Sequence, residues 1–264
     1  MPKKFVWWLI SFCFCTACQE PTPIPREQTP SGQKDGILVL CEGTFGFGNA
    51  ALSYIDLEEK KSYLDVFKSA NNRPLGDQAQ MMLAYNRYIY ILVQNSGTIE
   101  VIQASDFASV LQIASLNGKT IQPRYACIHQ DKIYIADWKS NGVWILDAMT
   151  MLYQDFLPTY EDPEYLYVTQ NILYIACAGY SKTSTFESKI LAYDISKASM
   201  IDTLDTGARP IFITSDNKNQ LWVVCRGFTG TASVASQPPK ILSWKQNETK
   251  PWYNQTIGDP NGGS

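Results

Sequence analysis

The sequence predicts an all-β fold: a β-propeller of four-stranded antiparallel blades, with about five blades present. Three observations carry that expectation. A two-strand phrase recurs, in which an aromatic-bearing strand is followed by a polar loop and a second strand that tends to close on Asp. It reads Tyr88-Ile89-Tyr90-Ile91 then Ile99-Glu100-Val101-Ile102, and Ile133-Tyr134-Ile135-Ala136 then Val143-Trp144-Ile145-Leu146-Asp147. It returns as Leu173-Tyr174-Ile175-Ala176 then Ile190-Leu191-Ala192-Tyr193-Asp194, and as Leu221-Trp222-Val223-Val224 then Ile241-Leu242-Ser243-Trp244. The spacing is regular: 44 residues from Tyr90 to Tyr134, 40 to Tyr174 and 48 to Trp222. A strand-built period of that length marks a propeller. No long amphipathic helical pattern competes.

The first element in order is a targeting segment. Lys3 and Lys4 precede an apolar run from Phe5 to Phe14, too short to span a bilayer, and then Cys15-Thr16-Ala17-Cys18. Small residues before a Cys resemble the bacterial lipoprotein signal, so residues 1–18 are read as a signal peptide with Cys18 as the lipidated residue, the alternative being an ordinary secretory signal cut nearby. Cys15 departs from the Leu that such signals prefer. Residues 19–35, rich in Pro, Gln and Thr, read as a tether.

Residues 36–264 form the propeller region. Ile37 to Cys41 is a B-like strand with no A strand before it, so the first unit is incomplete. The third unit shows the full set: A over Arg124–Ile128, B over Lys132–Asp137, C over Gly142–Asp147 and D over Met151–Leu157. Turn signals separate them at His129-Gln130-Asp131, Ser140-Asn141-Gly142 and Ala148-Met149-Thr150. Pro123, Pro163 and Pro210 stand at the start of strand A, where no ladder donor is lost. The C strands end at Asp56, Gln103, Asp147, Asp194 and Lys245, spaced 47, 44, 47 and 51 residues. The tail from Gly258 to Ser264 is too poor in β-formers to supply the missing first strand. The expectation is therefore a truncated copy of a longer ring, incomplete at the C-terminus, rather than a weakly closed five-bladed one. Each blade must stack on neighbours to bury its faces. Open end flanks predict poor solubility.

Composition excludes several functions. The 22 basic and 25 acidic residues argue against nucleic acid. Four cysteines lie beyond the signal; Cys41, Cys177 and Cys225 share one place at the end of strand B and read as buried small hydrophobes, not as disulfides. Without a C-x-x-C among those four, and with a single His, no zinc site or other metal or cofactor is implied. Asn117-Gly118-Lys119-Thr120 lacks the first glycine of a phosphate loop and reads as a turn. Gly43-Thr44-Phe45-Gly46-Phe47-Gly48 reads as a loop that re-aims the backbone. His129, in an A–B turn without a G-x-S-x-G elbow, reads as a surface residue. Glu161-Asp162-Pro163-Glu164 is the one run where paired carboxylates could do acid–base work, and it reads as a solvated loop.

The B–C and D–A loops of a propeller converge on one face. That face would carry Glu42, Phe45, Asn71, Arg73, Asn95, Ser96, Arg124 and Tyr125. Later blades would add Trp138, Lys139, Tyr160, Glu164, Tyr165, Tyr180, Arg209, Arg226 and Phe228, with loop insertions at 178–188 and 227–239. Aromatic rings interleaved with fixed polar groups suit a large amphipathic ligand or a protein interface.

Leu40-Cys41-Glu42-Gly43-Thr44-Phe45-Gly46, Asn49-Ala50-Ala51-Leu52-Ser53-Tyr54, Val66-Phe67-Lys68, Asn72-Arg73-Pro74-Leu75-Gly76-Asp77 and Asn95-Ser96-Gly97 resemble the YncE-like propeller lipoproteins of Bacteroidetes-type bacteria, most closely the DUF5074 group. Cys41 departs from an expected Asn. The resemblance implies a seven-bladed ring and a lipid-anchored location on the outer membrane, at the cell surface. It also implies kinship with surface binders that pass a corrinoid (vitamin B12) to a TonB-dependent outer-membrane transporter. The expected function is thus non-enzymatic capture of a corrinoid, attached to the membrane only through its lipid. The alternatives are a protein-interaction scaffold of the cell envelope, or a polysaccharide-active enzyme using Glu161, Asp162 or Glu164.

Overall fold

A computed structural model describes residues 35–160, 162–179, 188–230, 235–245, 248 and 250–258. The signal segment with Cys18, the tether and Tyr180 lie outside the described residues. The chain opens with β1 (Gly36–Cys41), β2 (Ala51–Asp56) and β3 (Lys61–Tyr63), a three-stranded sheet in the order β1-β2-β3. After α1 (Val66–Asn71), strands β4 (Ala79–Tyr85), β5 (Tyr88–Val93), β6 (Thr98–Gln103) and β7 (Ser109–Ile113) make the second blade. A hairpin of β8 (Ser115–Leu116) and β9 (Lys119–Thr120) follows. The third blade is β10 (Pro123–His129), β11 (Lys132–Asp137), β12 (Gly142–Asp147) and β13 (Tyr153–Pro158). The fourth is β14 (Pro163–Thr169), β15 (Ile172–Cys177), β16 (Lys189–Asp194) and β17 (Ser199–Asp205). The fifth is β18 (Pro210–Ser215), β19 (Leu221–Cys225), β20 (Lys240–Trp244) and β21 (Tyr253–Thr256). All pairings within the blades are antiparallel, and the fold is a β-propeller with five blades among the described residues.

The recurring phrase exists because strand B is buried on both faces. In β5, Ile89, Ile91 and Val93 pack toward the first blade while Tyr90 and Leu92 pack toward the third. In β11, Ile133 and Ile135 face the second blade and Tyr134 and Ala136 the fourth. This two-residue alternation builds four separate cores, one at each blade junction. Fully enclosed side chains such as Leu52, Ile91, Leu173 and Ile213 each contribute about 1.5–3 kcal/mol of transfer free energy. Tyr90 adds a specific link, its hydroxyl donating to the Ala148 carbonyl of the next blade at 2.6 Å.

The Asp that ends strand C is a turn device. Asp147 Oδ1 accepts from the amides of Met149 (3.0 Å) and Thr150 (2.8 Å), and Asp56 and Asp194 each serve the two amides at the same offsets. Those hydrogen bonds, Thr150's foremost, hold the Asp147 carboxyl below its ordinary range. The turn runs longer than the sequence reading allowed. Met151 takes φ 59° and donates to the Asp147 carbonyl, so strand D starts at Tyr153 rather than at Met151.

Two further differences have local causes. The short helix α1 was not anticipated; Asp65 caps it by accepting from the Lys68 amide, and Asn72 closes it in the left-handed region. Cys177 and Cys225 are buried as expected, but Cys41 is exposed because it points, with Ile37 and Val39, away from the second blade. The Asn117-Gly118 pair takes positive φ at both residues, the conformation of a two-residue hairpin turn.

The junction of the fourth and fifth blades holds an unfilled space. Ala192 of β16 occupies the register place of Ile145 in β12, and a cavity of about 80 Å³ opens there against Tyr174, Leu204, Leu221 and Trp244. Ala192→Val fills part of it and should raise the unfolding free energy by about 0.5–2 kcal/mol. Urea titration checks this, and a lowered midpoint would show the space cannot accept the added methyls.

Candidate functional site

The second residue of strand A is a β-bulge in each of the four complete blades. The ladder skips from Ala79 to Met81, from Pro123 to Tyr125, from Pro163 to Tyr165 and from Pro210 to Phe212. The extra residues are Gln80, Arg124, Glu164 and Ile211. A bulge frees its side chain from the sheet's alternation and re-aims it. Strands β4, β10, β14 and β18 lie next to one another in that order, so these side chains are brought together.

Arg124 is the hub. It grips Glu164 bidentately, Nε to Oε2 at 3.0 Å and Nη2 to Oε1 at 2.7 Å. Its Nη1 donates to Gln80 Oε1 and, at 3.0 Å, to Gln94 Oε1. The guanidinium carbon lies 4.8 Å from the Trp138 ring centre. Gln80 passes the chain on, its Nε2 donating to Glu42 at 2.7 Å. Glu42, Gln80, Arg124 and Glu164 thus join four consecutive blades. Burial pushes the Glu164 carboxyl up from its ordinary value, outweighing the opposing pull of Arg124, and the neighbouring Asp162 pushes the same way.

A second loop closes the site. Gly43 takes φ 84°, and a Cβ there would lie 2.7 Å from the Ala50 backbone nitrogen, so the turn requires glycine. Gly46 donates its amide to Asp77 Oδ2 at 2.8 Å, which pins the loop to the second blade. Asp77 also accepts from Asn95 Nδ2. The loop presents Phe45 and Phe47, both largely exposed. A cavity of about 210 Å³ lies between Phe45 and Trp138, lined also by Gln78, Gln94, Asn95, Gln122 and Arg124. A larger hollow of about 310 Å³, lined by residues that include Tyr160, Leu191 and Met200, has no charged group among its lining residues. The cavity at Trp138 is the better candidate because polar groups converge on it.

The expected residues divide into groups. Phe45, Asn95, Arg124 and Trp138 line this cavity, and Glu42 and Glu164 hold its frame. Tyr125 and Tyr165 stack on each other with centroids 4.1 Å apart, and Tyr165 meets Phe212 at 5.1 Å. These rings serve blade packing, and burial drives the Tyr125 phenol pKa upward. Arg73 is placed elsewhere: it pairs with the fully buried Glu100 at 2.6 Å and lies over Phe67, fastening the α1 segment to the second blade. Asn71 does similar work, donating to the carbonyls of Phe67 and Phe107. Ser96 Oγ accepts from the Asp77 amide. In the fifth blade the Arg209 guanidinium carbon stands 4.9 Å from the Phe228 ring centre, and Arg226 is exposed. Lys139 is exposed in the turn after β11. His129 bonds Asn171 at 2.8 Å across a blade boundary.

Sequence reasoning missed Gln78, Gln80, Gln94 and Gln122. Gln80 could have been found, because it stands at the repeat position of Arg124 and Glu164.

Arg124→Ala leaves the Glu164 carboxylate enclosed without its partner. The expected cost near neutral pH is about 2–4 kcal/mol, below the fully buried range because Arg124 is 24% exposed. In the variant the folded pKa of Glu164 rises further above its unfolded value. The penalty is therefore complete above the variant's folded pKa, fades as the pH falls below it and is absent below the unfolded value of about 4.3. Chemical denaturation at pH 8 and pH 4 should show a smaller loss at pH 4; equal losses would contradict the pairing.

Comparison with known proteins agrees with this architecture. Kuenenia stuttgartiensis hydrazine synthase is similar in fold at 13% identity and TM-score 0.53, over 65% of this chain and 46% of that one. The Neurospora crassa Pan2 WD40 domain matches at 11% identity and TM-score 0.58, over 90% and 69%. A protein of unknown function from Bacteroides caccae matches at 13% identity and TM-score 0.51, over 82% and 72%. The chain spans just under half the length of the hydrazine synthase chain, and identities this low speak to fold alone. No curated protein matches. The profile described as "Domain of unknown function (DUF5074)" matches residues 35–228, most of the chain. The chain belongs to the DUF5074 family.

Proposed function

We propose that this propeller is a binding protein, anchored at the cell surface through Cys18, that captures a corrinoid and passes it to a TonB-dependent outer-membrane transporter. The observation that carries the reading is the cavity between Phe45 and Trp138, in which two aromatic rings flank carboxamides held by a rigid frame. At about 210 Å³ it is smaller than the roughly 300–1,000 Å³ that encloses a whole drug-sized ligand. It would take one edge of a broad ligand, with the remainder resting on the exposed Phe45–Phe47 loop. Binding would rest on shape and hydrogen bonding, with the frame prepaid in folding. The catalytic alternative has less to support it: Glu164 is committed to Arg124, and Glu161 lies outside the described residues.

A second reading is favoured by one feature. Phe45 and Phe47 are 66% and 74% exposed on a single loop, which suits docking of another cell-envelope protein.

Mixing the protein with cyanocobalamin and separating by gel filtration tests the first reading. The expected result is colour co-eluting with protein, with Trp138→Ala reducing affinity on the order of tenfold or more through loss of an aromatic contact. Colourless protein fractions would overturn the corrinoid reading.

A further inference from the structure

Hydrogen bonds around the cavity dictate which end of the Gln78, Gln94 and Asn95 carboxamides is bound to the frame and which is left over. Arg124 has only N–H donors to offer, so the side chain it meets must present its oxygen. Gln94 therefore turns Oε1 to Arg124, at 3.0 Å, and its NH₂ group is left for the cavity. Asp77 as a carboxylate only accepts, so Asn95 turns Nδ2 toward it and keeps Oδ1 for the cavity. Glu42 likewise accepts from Gln78 Nε2 at 3.3 Å, which leaves the Gln78 oxygen as an acceptor. These orientations follow from the charge of the partner, which removes the usual ambiguity of amide assignment. The charges themselves are spent. Arg124 uses four of its five N–H donors on Glu164, Gln80 and Gln94, and its face lies over Trp138.

We propose that this cavity recognises a neutral carboxamide of its ligand and rejects the corresponding carboxylate. The ligand's carbonyl oxygen would accept from Gln94 Nε2, and its N–H would donate to Asn95 Oδ1 or Gln78 Oε1. Phe45 and Trp138 cover the adjoining alkyl carbons. A carboxylate brings no donor, meets two fixed acceptors and finds no unpaired cation among the lining residues. Its desolvation goes uncompensated. The inference rests on the proposed binding role of the cavity but not on the corrinoid as the ligand.

The probe is a minimal pair, propionamide and sodium propionate, titrated into the ¹⁵N-labelled protein at pH 7. The side-chain NH₂ signals of Gln78, Gln94, Asn95 and Gln122 are followed, each identified by its loss in a Gln→Met or Asn→Leu variant. Saturable shifts with propionamide, and a preference over propionate on the order of tenfold or more, are expected. Gln94→Met should abolish the response while leaving the folded spectrum intact. Equal or stronger binding of propionate, or no response of these signals to propionamide, would overturn the inference. The two readings fail separately. Protein that retains cyanocobalamin yet ignores propionamide keeps the corrinoid role and loses this one. Protein that binds propionamide but releases cyanocobalamin does the reverse.

Discussion

The pairing of Arg124 with Glu164 is the interaction on which the rest of the site depends. It spans two blades, and through Gln80 it reaches Glu42 in the first. It also sets the place of Trp138 and the polarity of Gln94. Without it, an enclosed carboxylate and a stranded guanidinium would face each other across the innermost strands. Neutralisation by pairing is what lets charged residues build a cavity wall without making the wall charged.

That pairing is possible only because blade packing places the strand A bulges side by side. In the second, third and fourth blades strand B, apolar on both faces, ties the blade to both neighbours through the junction cores. The stacked rings of Tyr125, Tyr165 and Phe212 run along the A strands just beyond the bulges. Blade packing and the frame of the cavity therefore use neighbouring residues of the same strand. Tyr125 serves the junction, while its neighbour Arg124 serves the site.

The repeat was legible because both of its signals have local physical causes. The aromatic in strand B fills a blade junction, and the Asp after strand C caps a turn, so each leaves a residue type at a fixed spacing. Proline at strand A marked the start of β10, β14 and β18 correctly, since that position needs no donor. The site was legible only in part. Phe45, Asn95, Arg124 and Trp138 were reached by asking which loops share a face. Arg73 shares that kind of loop, yet it turns to Glu100, because a buried carboxylate on strand β6 demands a cation. Tyr125 and Tyr165 looked like ligand contacts for want of any sign of the bulge, which shifts alternation by one residue. The glutamines were passed over because an exposed-looking Gln carries no pattern; only its partners give it a direction.

A double-mutant cycle tests the central pairing most directly. Arg124→Met and Glu164→Leu keep much of the buried volume while removing the charges, singly and together. The account predicts that the double variant recovers stability relative to the sum of the singles, with a coupling of about 2 kcal/mol. Additive losses, with coupling below about 0.5 kcal/mol, would contradict it.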